Sequence, residues 1–181
     1  AGPALPAPTP DPSRKREEGG MTDPLTPPAP RLSGIHHVAY RCRDARETVE
    51  WYRQHLGMEF VLAIAEDQVP STHEPDPYMH VFLDAGGGNI LAFFELPNSP
   101  PMGRDGNTPE WVQHIAYKVD SVQTLEQTKA RLEAAGIPVI GVTDHTIFRS
   151  IYFFDPNGHR VELAADTATP GFRITSTAEA V

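Results

Sequence analysis

From residue 34 onward the chain switches between two hydrophobic periods. Residues 34–42 alternate apolar and polar with period two, which predicts a strand. Arg43-Asp44 then offers a helix cap, Val49, Trp51-Tyr52 and Leu56 follow at helical spacing, and Gly57 supplies the stop. Residues 58–65, 78–84 and 89–96 read as three strands, the last two joined by the turn Gly86-Gly87-Gly88-Asn89. The order then recurs. A strand over 111–119 precedes Asp120-Ser121 as a cap and a helix with Val122, Leu125, Thr128 and Leu132 on one stripe, ended by Gly136. Strands near 138–142, 149–154 and 160–165 follow, the last pair linked by Asp155-Pro156-Asn157-Gly158. The pattern predicts an α+β domain over 34–166 built from two βαβββ modules, 34–96 and 111–166.

The repeat is also legible residue by residue. Ile35-His36-His37-Val38-Ala39-Tyr40-Arg41 returns as Val112-Gln113-His114-Ile115-Ala116-Tyr117-Lys118, a step of about 77 residues (114 minus 37). Strand alternation puts His37, Ala39 and Arg41 on one face, and likewise His114, Ala116 and Lys118. The bulky apolar set on the other face should lie against the helices, leaving the histidines on the open side of the sheet. Each copy leads to a glutamate in an apolar strand, Glu95 in Phe93-Phe94-Glu95-Leu96 and Glu162 in Arg160-Val161-Glu162-Leu163. A carboxylate in such a strand is costly unless paired or coordinated. Two neutral imidazoles and two carboxylates balance a divalent cation and leave positions for substrate or water. His37, Glu95, His114 and Glu162 are therefore the expected metal ligands.

Supporting chemistry is expected around them. Arg41 and Lys118, each four residues past a histidine, are candidate anchors for an anionic substrate group. His80, His145 and Tyr152 are candidates for the surroundings of the site, whereas His36 reads as structural and His55, His73 and His159 as surface residues. Histidine-to-glutamate spacing is 58 in the first module (95 minus 37) and 48 in the second (162 minus 114). The excess is assigned to the loop Glu66–Pro77, a surface excursion or a lid. Asp155-Pro-Asn-Gly158 reads as turn chemistry alone.

Composition narrows the function classes. Residues 1–33 are crowded with proline, glycine and charge, and residues 167–181 are small and polar. Both read as disordered or loose extensions of the domain. Met21 offers a translation start, with Ala1–Gly20 upstream of it. Net charge is −9 without a basic stripe, which argues against nucleic acid and anionic membranes as partners. No stretch is long and apolar enough to span a membrane. The single cysteine, Cys42, reads as a core residue and fits a cytoplasmic location.

The runs Ile35-His36-His37-Val38-Ala39, Trp51-Tyr52-Arg53-Gln54-His55-Leu56-Gly57-Met58 and Phe154-Asp155-Pro156-Asn157-Gly158-His159-Arg160-Val161-Glu162-Leu163 resemble the vicinal oxygen chelate superfamily of glyoxalase I, fosfomycin-resistance proteins and extradiol dioxygenases. That resemblance implies a cupped mixed sheet with helices outside, curling around one divalent ion (Ni, Co, Zn, Mn or Fe). It also implies a small-molecule substrate bound through vicinal oxygens, and a homodimer with modules paired within or between chains. The glyoxalase pattern selects His37, Glu95, His114 and Glu162, with Arg41 anchoring substrate and Glu162 moving a proton. This implies a lyase or isomerase, the favoured expectation because Glu95 is present. Glu110 stands where a second glutathione-binding cation would be expected, which argues against glutathione. The alternative is an Fe(II) extradiol dioxygenase using His37, His114 and Glu162, with His145 and Tyr152 as acid–base and orienting groups. A non-catalytic small-molecule binding protein is the third reading.

Overall fold

The order of elements follows the two-period pattern. The computed structural model describes residues 29–167. The expected extensions 1–33 and 167–181 thus lie outside the described residues, except for the irregular, exposed 29–33 and Thr167. The first module runs β1 (Val38–Cys42), α1 (Ala45–Leu56), β2 (Glu59–Glu66), β3 (Tyr78–Asp84) and β4 (Ile90–Glu95). The second runs β5 (His114–Lys118), α2 (Val122–Ala134), β6 (Ile140–Asp144), β7 (Phe148–Phe154) and β8 (Arg160–Asp166). Each makes a four-stranded mixed sheet, ordered β1-β4-β3-β2 and β5-β8-β7-β6, in which only the first-to-last strand pair is parallel. Among the described residues no helix is long and apolar enough to cross a membrane.

Local chemistry sets the boundaries. Asp44 caps α1 by accepting the Glu47 N–H at 2.7 Å, and Gly57 ends it in the left-handed region at φ 67°. Ser121 caps α2 in the same way through Thr124 N at 3.1 Å. Strand β1 starts at Val38 rather than at residue 34. Its partner β4 begins only at Ile90, after the glycine turn, so earlier residues have no ladder to join.

The predicted inner faces pack together. Cys42, Tyr52, Leu83, Leu91, Phe93, Leu125, Leu132, Ile151, Phe153 and Val161 form one buried cluster drawn from both modules. Cys42 is inert there, since burial pushes its thiol up to about 11. The Asp155–Gly158 turn does more than reverse the chain. Asp155 is buried and accepts from Tyr52 Oη at 3.2 Å, while Asn157 takes the Arg43 N–H at 2.9 Å and donates to Thr48 Oγ1 at 3.0 Å. The expectation that this run is turn chemistry alone is corrected: it clasps the second module to the start of α1. At the other end of α1, Arg131 of α2 donates to the His55 carbonyl at 2.5 Å, satisfying a free last-turn acceptor.

Candidate functional site

Pairing of β8 with β5 and β7 decides which side chains meet. Val161 and Leu163 are buried in the core, whereas Glu162 pairs with Ala116 and Tyr152 and shares the open face with His114 and Ser150. Glu162 is only 4% exposed, yet both oxygens are engaged. Oε2 lies 2.9 Å from His114 Nε2. Oε1 accepts the Tyr152 hydroxyl at 3.1 Å and also the Ser150 hydroxyl. His145 Nε2, from the β6–β7 turn, lies 2.9 Å from Tyr152 Oη. Burial pushes the Tyr152 phenol up, which keeps that hydroxyl protonated at neutral pH. The expected residues His114, Glu162, Tyr152 and His145 therefore form one hydrogen-bonded chain. Ser150 is an addition; its signal is alternation, which puts a small polar residue on the face of Tyr152.

This donor set suits a cation. His114 Nδ1 lies 3.0 Å from the Val112 carbonyl and donates to it, which turns Nε2 toward Glu162. Nε2 and the carboxylate oxygen, 2.9 Å apart, are held by positive charge, either a shared proton or a cation accepted by both. A backbone carbonyl orienting the far nitrogen is also how metal-binding imidazoles are held.

The first module is different. Its open face carries His37, Ala39 and Arg41 beside Ala92 and Phe94 of β4 and His80 and Phe82 of β3. The rings around His37 are His36, His80 and Phe82, with centroids 5.1, 6.4 and 6.2 Å away. His80 stacks on Phe94 at 3.6 Å, and its Nε2 is buried without a partner among the described residues. Burial and the neighbouring His37 lower its pKa, so at pH 7 the ring is neutral.

Glu95 does not join His37. It pairs with Cys42, which places it on the helix face, and its Oε2 accepts the Ala45 N–H at 2.7 Å in the first turn of α1. The expectation of a second carboxylate beside His37 is corrected. Register shows what stands there instead. Ala116 pairs with Glu162, which pairs with Tyr152; Ala39 pairs with Ala92, which pairs with Phe82. Ala92 thus holds the position equivalent to Glu162. The spacing excess of the first module is then seven residues (55, from 92 minus 37, against 48) rather than ten.

The expected anchors have partners inside the protein. Arg41 Nη2 donates to the Pro100 carbonyl at 2.6 Å, and Lys118 is bonded to Asp166. Two surface assignments are corrected. His55 is buried against Trp51, with ring centroids 5.2 Å apart, and His159 Nε2 lies 2.6 Å from the Arg41 carbonyl. Among the described residues, no group of three or more His, Cys, Asp or Glu side chains is placed to hold one ion. The structure brings together His114 with Glu162 and, separately, His37 with His80.

Comparison with known proteins agrees with this architecture. "Putative ring-cleaving dioxygenase MhqA" of Bacillus subtilis (strain 168) is 26% identical over 147 residues, 80% of this chain and 44% of that protein. The chain therefore spans less than half the length of that relative. A glyoxylase/bleomycin resistance protein/dioxygenase domain from Frankia sp. EAN1pec superposes with a TM-score of 0.62 at 20% identity, covering 75% of this chain and 99% of that one. The fosfomycin resistance protein FosX from Listeria monocytogenes, solved with Mn(II) and sulfate, gives 0.55 at 20% identity over 76% and 95% of the two chains. At these identities the structural likeness is one of fold. The model of the Glyoxalase/Bleomycin resistance protein/Dioxygenase superfamily matches residues 34–163, and the chain belongs to that superfamily.

Proposed function

We propose that this protein is a divalent-metal-dependent oxygenase that opens the ring of a small dihydroxyaromatic compound, with His37, His114 and Glu162 as the metal ligands. The observation that supports this reading is the alanine at position 92. The lyase or isomerase expectation rested on a fourth ligand, and Glu95 faces the other way. Two imidazoles and one carboxylate remain, a set suited to Fe(II) with open positions. Such an ion supplies Lewis acidity toward two neighbouring substrate oxygens and electrons for dioxygen. The side chains supply the rest. Ser150 and Tyr152 hold the Glu162 carboxylate in one orientation. Tyr152 Oη and His145 Nε2, 2.9 Å apart, form a path by which a substrate hydroxyl proton leaves the site and returns.

A second copy of the chain completes the site in this reading, because one chain keeps its two histidine clusters apart. Apolar surface around both clusters supports a cover. Leu62 and Ile64, 41% and 39% exposed, pair with Phe82 and His80, and Trp111 and Val112 stand open near His114 at 66% and 42%. Mixing inactive His37→Ala and Glu162→Gln proteins should restore roughly a quarter of the sites, since half the dimers are mixed and each has one intact pocket. No recovery after exchange of subunits, proven by mass spectrometry, would contradict the shared site.

The reaction is read with an oxygen electrode. Protein loaded with Fe(II), Mn(II), Ni(II), Co(II) or Zn(II) is given a panel of catechols. Ring opening puts both atoms of dioxygen into the product, so Fe(II) protein should consume one O2 per ring opened. Proton exchange beside a substrate carbonyl under Ni(II) or Zn(II), without oxygen uptake under any metal, would restore the lyase or isomerase reading.

A further inference from the structure

We infer that Arg160 binds a carboxylate carried on the substrate ring, which narrows the substrates to dihydroxyaromatic acids. The inference rests on the ring-cleavage reading above. Arg160 is the cross-strand partner of His114, and both line a cleft of ≈ 240 Å³ with Arg104, Asp105, Glu110 and Phe154. The other charges of that cleft are engaged. Arg104 pairs with Glu110 at 3.1 Å, and Asp105 accepts from Asn107 N at 2.9 Å and Thr108 Oγ1 at 2.5 Å. The Arg160 side chain makes no hydrogen bond or ion pair among the described residues, and its Nε is buried without a partner. Its guanidinium lies over the Tyr152 ring, 4.3 Å from the centroid.

A buried donor without an acceptor is costly, and a guanidinium fork matches a carboxylate. Arg160 and Glu162 lie two residues apart on one face of β8, and the guanidinium leans over Tyr152, the cross-strand neighbour of Glu162. A catechol meeting an ion beside Glu162 would bring a carboxylate on its ring within reach of Arg160. The competing role, in which Arg160 only stacks on Tyr152, predicts no dependence on substrate charge.

The test compares 3,4-dihydroxybenzoate with catechol in the iron-loaded protein and in Arg160→Gln. KM for the acid should rise roughly ten- to a hundredfold with kcat within about threefold, well beyond any change seen with catechol. Calorimetric binding of 3-hydroxybenzoate gives a readout without turnover and should disappear in the variant. Equal losses for both oxygen-consuming substrates, or unchanged acid binding, would overturn the anchor. If no catechol supports oxygen uptake but 3-hydroxybenzoate binding still requires Arg160, ring cleavage fails and the anchor stands. Should Arg160→Gln not fold, Arg160→Lys keeps the charge and loses the fork, and reads the same discrimination.

Discussion

Glu162→Gln is expected to lower metal affinity and oxygen uptake by at least about a hundredfold while leaving the melting temperature of the metal-free protein unchanged or raised. Both halves of that result follow from the geometry. Glutamine keeps an oxygen to accept from Ser150 and Tyr152, and its amide can donate to His114 Nε2. The hydrogen-bond pattern survives, and a buried carboxylate is replaced by a neutral amide. The negative charge is lost, and a bound cation would miss it. Metal content per chain and a thermal melt of the metal-free form measure the two halves independently. Lost stability with retained metal would assign Glu162 a structural role.

Asp155→Ala is expected to cost on the order of 3–5 kcal/mol, or roughly 10 °C in melting temperature. Asp155 Oδ1 accepts the backbone N–H of Asn157 at 2.9 Å and of His159 at 2.7 Å, and Oδ2 takes Tyr52 Oη at 3.2 Å and Asn157 Nδ2 at 3.1 Å. Tyr52 is 1% exposed, so its hydroxyl gains no water in exchange. Burial and the nearby Asp155 raise its pKa well above the ordinary value, so it stays a donor needing an acceptor. Asp155→Asn, which keeps acceptor Oδ1 for the turn, should lose distinctly less. Thermal melts of the two variants decide this, and equal small losses for both would show that the turn does not clasp the modules.

Alternation and caps made the fold legible. Asp44, Gly57, Ser121 and the triple-glycine turn mark element ends through chemistry contained in a few adjacent residues, and the repeat of the histidine phrase marks the modules. Register between distant strands is another matter. Glu95 and Glu162 both sit in apolar strands, but their own-face neighbours differ: Phe93 and Leu91 for Glu95, Arg160 and Ala164 for Glu162. The first set belongs to a buried face, so the distinguishing signal was present two residues away. What the sequence could not supply is the parallel pairing that puts Ala92 beside Ala39. A shift of one residue moves a whole strand's side chains to the opposite face, and here the relevant carboxylate lies three residues beyond its expected place. His159 and Asp155 were equally opaque, because their partners, the Arg41 carbonyl and Tyr52, lie more than a hundred positions away.

Iron bound per chain by Glu95→Gln tests the three-ligand account most directly. Its carboxylate serves the first turn of α1, so the variant should bind iron with wild-type stoichiometry and affinity and lose at most about 1 kcal/mol of stability. Loss of iron comparable to that of Glu162→Gln would contradict it.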